Sequence, residues 1–233
     1  FSNKKTISTH RQKRITKRGI TQRYQNELNA IAIVGMAGQF PMAKDINAFW
    51  KNLEEGKDCI SEIPKSRWDW QKLWGDPNKE TNKTNIKWGG FIEDTDKFDS
   101  LFFGISPREA LLMDPQQRLL MEYVWLALED AGYSAKSLSG TNTGMFIGTA
   151  SMGYSILIER AHVPIEGYSA TGIFPSVGPN RMSYFLNIHG PSEPIETSCS
   201  SSLVAIHRAV ANIQNGVCDQ AFVGGVNTIV TPD

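Results

Sequence analysis

The last forty residues of the chain alternate short apolar runs with one long helical segment, and this order constrains the fold more than any other feature. Residues 194–197 predict a strand, residues 200–214 a helix, and residues 221–223 a second strand that runs into two glycines. The apolar helical positions Leu203, Ile206, Val210 and Ile213 are predicted to point one way. A strand, a helix and a strand in succession indicate an α/β fold with a layered sheet.

Four further segments extend this pattern toward the N-terminus. Residues 31–34 and residues 144–148 are apolar runs that end at glycine, and each predicts a buried strand. Residues 46–53 have helical spacing. A longer helix is predicted to begin with Asp114 as its cap and Pro115 at its first position, where Gln117 would complete a capping box.

Residues 57–98 are rich in Trp, Pro, Asn, Lys and Asp and predict a long surface excursion. It contains Trp68, Trp70, Trp74 and Trp88. These rings could stack on a ligand, but anchoring of the loop to the core is the favoured interpretation.

Composition excludes several classes of protein. The chain has 233 residues, 40% hydrophobic and 21% charged, which is typical of a globular protein with one or two domains. It has no apolar run of membrane-spanning length and no signal-peptide core at its N-terminus, so we expect a cytoplasmic protein. Its three cysteines are far apart, which argues against disulfides and a cysteine-based zinc site, and no metal site is predicted. Cys59 and Cys218 are assigned to core packing.

The charge is uneven although the net charge is zero. Residues 1–29 hold eight Lys or Arg and one Glu, so this segment carries about +7 and the remainder about −7. Such an arm can bind nucleic acid or an anionic membrane, but it contains no nucleic-acid-binding motif. We therefore interpret residues 1–29 as a polar interdomain linker and residues 30–233 as the folded domain.

Cys199 is the residue to which reactive chemistry is assigned. It lies between a predicted strand and the start of the predicted helix, where free N–H groups and the helix dipole favour a thiolate. The flanking serines are small enough for a thioester to approach the backbone, where an N–H could form half of an oxyanion hole. By spacing alone, a buried cysteine at a helix start is an equal alternative.

None of the four histidines can be assigned to Cys199 as a base. His207 is about 12 Å further along the same helix, and His189 lies before the strand that leads to the cysteine. His10 belongs to the basic segment, and His162 lies in a segment without a predicted structure.

Residues 196–203 (ETSCSSSL) resemble the active-site signature of β-ketoacyl synthase domains, especially those of modular polyketide synthases. Residues 31–41, 102–118 and 177–191 resemble other motifs of this family, in family order and spacing. The amino-acid sequences of residues 179–185 and 190–197 are similar to those of synthases served by a free-standing acyltransferase. Ser198 stands where the family usually has Ala, and Glu196 where it often has Asp.

The resemblance implies a thiolase-like fold, of which residues 30–233 would form the N-terminal half of a layered αβαβα architecture. It also implies a homodimer and a partner acyl carrier protein, whose phosphopantetheine carries the substrates, with no directly bound cofactor. By resemblance Cys199 is the acyl-accepting nucleophile. Other domains of the same synthase and a free-standing acyltransferase are further expected partners.

The family condenses the bound acyl chain with a malonyl-type extender by a decarboxylative Claisen reaction. The resemblance places two catalytic histidines beyond the motifs found here, so residues 1–233 alone are expected not to condense. The alternative is a non-elongating, transacylating or scaffold ketosynthase that docks carrier protein without turnover. A cysteine hydrolase would need a histidine that cannot be placed.

Other motif residues have weaker assignments. Asp114, Gln116, Gln117 and Arg118 are interpreted as a structural network at a helix start rather than as catalytic groups. Arg181 could contact a phosphate, but a buried salt bridge supporting the active-site strand is favoured. Met152 and Phe174 are candidate substrate contacts, because residues 151–153 and 173–176 resemble acyl-channel segments, with apolar packing as the equal alternative.

Overall fold

The structure is a computed structural model that describes residues 30–150 and 153–232. The chain divides into two units, residues 1–33 and residues 34–233. Only residues 30–33 of the first unit belong to the described part, and the fold below is that of the second unit. The basic segment 1–29 and Met152 lie outside the described residues, so the predictions made for them stay predictions.

The described residues of the second unit form eight α-helices and five strands. The helices are α1 (Ile46–Glu54), α2 (Pro107–Leu112), α3 (Pro115–Asp130), α4 (Ala135–Leu138), α5 (Tyr154–Arg160), α6 (Ser169–Ile173), α7 (Val177–Leu186) and α8 (Ser201–Gln214). The strands are β1 (Ser61–Glu62), β2 (Trp88–Gly89), β3 (Thr143–Gly148), β4 (Ser192–Ile195) and β5 (Gln220–Gly225). No helix of the described part is both long and apolar enough to cross a membrane.

The central sheet has the strand order β4-β3-β5, and both pairings are parallel. Gly148, at the end of β3, is in register with Ile195 on one side and with Gly225 on the other. All six residues of β3 are buried, as expected for the middle strand of a parallel sheet. The prediction of an α/β fold with a layered sheet is confirmed, and the three predicted strands of this sheet are present with shifted ends.

The two faces of β3 belong to different parts of the core. Met145 and Ile147 pack in a cluster with α3 and α7, whereas Phe146 packs in a second cluster with α8. Successive side chains of a strand point to opposite faces, so one six-residue run serves both clusters. The sheet therefore lies between a helix pair and α8, and α8 starts directly after β4.

Helix α3 begins and ends largely as its sequence indicates. The Asp114 side chain accepts a hydrogen bond from the backbone N–H of Gln116, Pro115 occupies the first turn, and Gly132 follows the helix with a φ of 72°. The predicted capping box is wrong. The Gln117 amide instead donates to carbonyl oxygens of residues 171–174, because that chain segment packs over the first turn.

Residues 31–34 do not form the predicted strand. Val34 is 62% exposed, and Ile33 is 79% exposed. An apolar run becomes a strand only where a neighbour supplies pairing groups and burial, and the described residues supply neither here. The chain is instead held just after this run, where the N–H of Met36 donates to the Asp130 carboxylate at 2.8 Å.

The apolar positions predicted to share one face of α8 are not the residues that pack on the sheet. Ala205 and Ala209 are the buried residues of this helix, whereas Leu203 is 70% and Ile206 50% exposed. Alanines allow the helix axis to approach the sheet closely, so the sheet packs against the small residues. The larger apolar residues are left on the outer side, and only Ile213 of the predicted set packs against the second cluster.

Residues 57–98 form the predicted excursion, with the short antiparallel pair β1–β2 and a 3₁₀ turn at Trp70–Leu73. Trp68 packs edge-on against Phe91. Core anchoring is wrong for Trp74 and Trp88, which are 44% and 54% exposed. These two rings and Trp70 surround the Lys87 ammonium, with 5.0–5.7 Å from Nζ to the ring centroids.

Candidate active site

Cys199 lies in a tight turn between β4 and α8. Ser198, directly before it, has a φ of 56°, in the left-handed region that residues other than glycine rarely adopt. Ser200 is the N-cap residue, and its side chain makes no capping hydrogen bond. The Cys199 side chain is exposed. The predicted position of the sulfur at the helix start is therefore confirmed, and the alternative of a buried cysteine is wrong.

Hydroxyl groups around the cysteine fix the shape of this turn. Ser201 Oγ donates to the Ser198 carbonyl at 2.7 Å and accepts from the Thr197 N–H at 2.9 Å. Ser200 Oγ donates to the Thr197 carbonyl at 2.8 Å. These bonds hold the residues on both sides of Cys199 and leave the sulfur itself out of the network, apart from a contact of 3.8 Å with Ser198 Oγ.

Two glycines bring the sheet and the start of α8 together. A Cβ on Gly148 would lie 3.0 Å from backbone atoms of Ser201 and Ser202, and a Cβ on Gly225 would lie 2.9 Å from Ser202 Cβ. Side chains at these two positions would push the helix away from the strand ends. This role of the two glycines was not predicted from the sequence, although a glycine at the end of each strand was the available signal.

The histidines of the described part do not hydrogen-bond to Cys199. His207 is exposed on α8, His162 follows α5 with a φ of 53°, and the ring of His189 contacts the Asn187 side-chain oxygen at 3.2 Å. His10 lies outside the described residues. Within residues 30–150 and 153–232 no histidine is therefore hydrogen-bonded to the Cys199 thiol, and the base for this cysteine stays unassigned.

The polar residues 114–118 form a buried network at the start of α3, close to the residues that follow β3. Gln116 Nε2 donates to the Ala150 carbonyl at 2.7 Å, and Gln117 Nε2 donates to three carbonyls at 3.0–3.2 Å. Arg118 donates to the Asp96 carbonyl at 3.3 Å. Burial raises the pKa of the Asp114 carboxyl group. These bonds connect chain segments, which supports the structural interpretation.

Arg181 forms the predicted salt bridge, with Nη1 2.7 Å from Glu109 Oε1. Both side chains are mostly buried, at 17% and 16% exposure. The partner lies on α2, so the bridge connects α7 to α2. Support of the active-site strand comes instead from packing of α7 on β4, which includes a 3.2 Å hydrogen bond between Ser183 and Ser192.

The remaining assigned residues have different environments. Phe174 is 59% exposed at the end of α6, and both its role as a substrate contact and its packing alternative stay predictions. Cys218 is buried as predicted, and burial raises the pKa of its thiol. Cys59 is only half-buried and contacts the Lys57 carbonyl at 3.6 Å, so its assignment to the core is wrong.

Residues 28–233 match the family described as "Beta-ketoacyl synthase, N-terminal domain". Polyketide synthase PksN of Bacillus subtilis (strain 168) is 66% identical over 203 residues, which cover 87% of this chain and 4% of that protein. Polyketide synthase PksR of the same strain is 47% identical over 208 residues, covering 89% of this chain and 7% of that protein. The chain thus spans a small part of these relatives.

Two solved structures agree with this match. The oxazolomycin ketosynthase domain OzmH KS7 of Streptomyces albus JA3453 superposes with a TM-score of 0.79 at 41% identity. The match covers 86% of this chain and 35% of that one. The ketosynthase from module 6 of the bacillaene synthase of Bacillus subtilis 168 gives 0.75 at 38% identity, covering 86% and 32%.

These matches confirm the thiolase-like fold, of which this chain has the N-terminal half. They also extend over the turn that holds Cys199, since the family match runs from residue 28 to residue 233. The chain therefore belongs to the β-ketoacyl synthase family and contributes the N-terminal domain of a polyketide synthase ketosynthase.

Proposed function

We propose that Cys199 accepts an acyl chain from the phosphopantetheine thioester of an acyl carrier protein. The observation that carries this proposal is the exposed sulfur in the turn before α8, within a run of residues that resembles the family signature. The thiolate attacks the thioester carbonyl and forms a new C–S bond. The bond to the phosphopantetheine sulfur breaks, and that thiol leaves with the proton that Cys199 gave up.

The described surroundings of Cys199 suit this step. The first turn of α8 presents its N–H groups and the positive end of the helix dipole, which stabilise a thiolate and the developing oxyanion. The side chains next to the sulfur are serines, which leave room for a thioester to approach the backbone. Ser201 and Thr197 hold the turn in place, so the nucleophile needs little reorganisation before attack.

In the complete ketosynthase we propose a second step, in which a malonyl-type extender loses CO₂ and its carbanion attacks the acyl group on Cys199. That step needs donors placed where the enolate charge develops. The histidines of the described residues are not placed around the sulfur, so we infer that residues 1–233 alone can be acylated but do not condense.

The wider assembly is also part of the proposal. Residues 179–185 and 190–197 resemble ketosynthases served by a free-standing acyltransferase, and the similarity to PksN supports placing this chain in a modular synthase. We infer a cytoplasmic homodimer that receives its substrates from carrier proteins, with residues 1–29 as the linker from a preceding domain.

The test is intact mass after incubation with an acyl N-acetylcysteamine thioester. The wild-type chain is expected to gain one acyl group, and Cys199→Ala to gain none. Cys218→Ala is the matched control. The Cys218 thiol is buried between the sheet and α8, so its removal should not affect acylation. Acylation that persists in Cys199→Ala would contradict the assignment, and a folded wild-type chain that gains no acyl group would favour the scaffold alternative.

A further inference from the structure

A small cavity lies between the start of α3, the residues that follow β3 and the connection from α6 to α7. Its polar lining residues are Asp114, Gln116, Gln117 and Thr149. Its volume is about 10 Å³, which is room for one guest of the size of a water molecule. An organic ligand does not fit.

Three buried oxygen atoms of these lining residues have no hydrogen-bond partner. They are Gln116 Oε1, Gln117 Oε1 and Thr149 Oγ1, and their residues are only 4–6% exposed. The orientation of both amides is fixed, because each Nε2 donates to backbone carbonyl oxygens. The two amide oxygens are therefore acceptors, the Thr149 hydroxyl oxygen can also accept, and leaving such atoms buried without a partner is unfavourable.

The cavity also has a negative charge at its wall. Asp114 is 6% exposed and accepts hydrogen bonds from Gln116, but no Lys or Arg of the described residues forms a salt bridge with it. The nearby Arg118 donates to the Asp96 carbonyl instead.

We propose that this cavity binds one dehydrated alkali cation, K⁺ or Na⁺, through the free oxygens of Gln116, Gln117 and Thr149. The Asp114 carboxylate balances its charge. Hard cations take carboxylate, amide and hydroxyl oxygens as ligands. One carboxylate among neutral oxygens matches a single positive charge, whereas Ca²⁺ sites commonly contain several carboxylates. The site is independent of acyl transfer.

The bound ion would join α3 to the residue that follows β3, and through that residue's backbone it would be connected to β4. Gln116 and Gln117 belong to α3, Thr149 follows β3, and the Thr149 N–H donates to the Ile195 carbonyl at 3.1 Å. Ile195 ends the strand that leads to the Cys199 turn. Cation binding is therefore expected to stabilise the fold around the active-site turn.

The first test is thermal unfolding of the full chain at constant ionic strength in KCl, NaCl or choline chloride. Choline is too large for the cavity. We expect a Tm higher by about 2–4 °C in at least one of the alkali salts. Equal Tm values in all three salts would show that the cavity holds only water and would overturn the proposal.

Variants localise the effect. Thr149→Val removes one oxygen at nearly constant volume, and Asp114→Asn removes the charge while keeping a capping side chain; both are expected to abolish the alkali dependence. Thr228→Val is the matched control. Thr228 is also buried with an unpartnered hydroxyl, but it does not line the cavity, so this variant should keep the full response.

Equilibrium dialysis with ⁸⁶Rb⁺, a K⁺ substitute, measures binding without depending on an unfolding transition. The wild-type chain and Thr228→Val are expected to bind one ion per chain in competition with KCl, and Thr149→Val and Asp114→Asn to bind at least about tenfold more weakly. Stoichiometric binding that survives in both cavity variants would place the ion elsewhere and refute the site.

Discussion

Three cysteines of one chain have three different environments. Cys199 is exposed before α8, Cys59 is half-buried, and Cys218 is 1% exposed with a pKa raised by burial. We predict that iodoacetamide alkylates Cys199 at least about tenfold faster than Cys218, because alkylation needs an accessible thiolate. Peptide mass mapping over time measures both rates, and in urea Cys218 should become reactive. Equal rates in the native chain would contradict the described burial.

Gly148 is the residue at which a single methyl group would disturb the contact between β3 and the start of α8. Its Cβ would meet backbone atoms of Ser201 and Ser202 at 3.0 Å, and backbone cannot move aside cheaply. We predict that Gly148→Ala lowers the free energy of unfolding by about 1–3 kcal/mol and changes the alkylation rate of Cys199.

Gly224→Ala is the matched control for this prediction. Its Cβ would approach only Ile147 Cδ1, at an ordinary 3.7 Å, so the free energy of unfolding should change by less than about 0.5 kcal/mol. Urea denaturation measures both variants. A loss in Gly224→Ala as large as that in Gly148→Ala would mean that strand glycines matter here for backbone freedom rather than for helix approach.

Among the elements, α2 is held by two ion pairs from adjacent residues. Glu109 pairs with Arg181 where both side chains are mostly buried, whereas Arg108 pairs with Glu166 while 75% of its own side chain is exposed. We predict that Glu109→Gln costs about 2 kcal/mol, because it leaves a buried guanidinium without its counter-charge.

Arg108→Ala should lower the free energy of unfolding less than Glu109→Gln does, since solvent screens the exposed pair. Chemical denaturation in low and high NaCl separates the two cases, because only the Arg108 effect should shrink markedly with salt. If both variants lost the same free energy of unfolding and responded equally to salt, the difference in burial between the two ion pairs would be contradicted.

Elements whose ends are set by local residues could be predicted from the sequence, whereas features that depend on tertiary contacts could not. Helix α3 has Asp114, Pro115 and Gly132 as local signals, and local signals act whatever packs nearby. The face of α8 has no such signal, because alanines on one side and Leu203 and Ile206 on the other both fit a buried helix. Which side meets the sheet depends on how closely the helix approaches, and that depends on Gly148 and Gly225, which are distant in sequence.

The candidate site shows the same division. Cys199 could be placed at a helix start from the strand–helix order alone. The Gln117 contacts with residues 171–174 could not, because they join segments more than fifty residues apart and a capping box was the only interaction that local spacing offered. The strand predicted at residues 31–34 is wrong for the opposite reason. The local apolar pattern is present, but the described structure supplies no neighbouring strand to pair with it.

At the scale of the whole molecule, the exposed side of α8 is a hydrophobic helix surface next to the Cys199 turn. Leu203 and Ile206 are 70% and 50% exposed, and Val223 of β5 is 38% exposed. The chain has no net charge to oppose contact between copies. We predict concentration-dependent self-association, which the double variant Leu203→Gln with Ile206→Gln reduces.

Ile165→Gln is the control for this prediction. Ile165 is 95% exposed but lies in the connection between α5 and α6, away from α8, so its replacement should leave self-association unchanged. Size-exclusion chromatography with light scattering over a range of concentrations measures the apparent mass. A mass that stays monomeric throughout, or one that responds equally to both variants, would contradict an association surface on α8.

The position of the tryptophans decides what fluorescence can report about this protein. All six precede residue 126, and three of them surround Lys87 in the excursion between α1 and α2. Five of the six indoles therefore report on residues before α2, and only Trp125 reports on the core, through Phe185 and the cluster that contains Met145 and Ile147. No indole belongs to β4, the Cys199 turn or α8, so tryptophan emission follows a local change in that part of the chain only indirectly. Circular dichroism or a fluorophore on Cys199 is the optical signal that includes the reactive part.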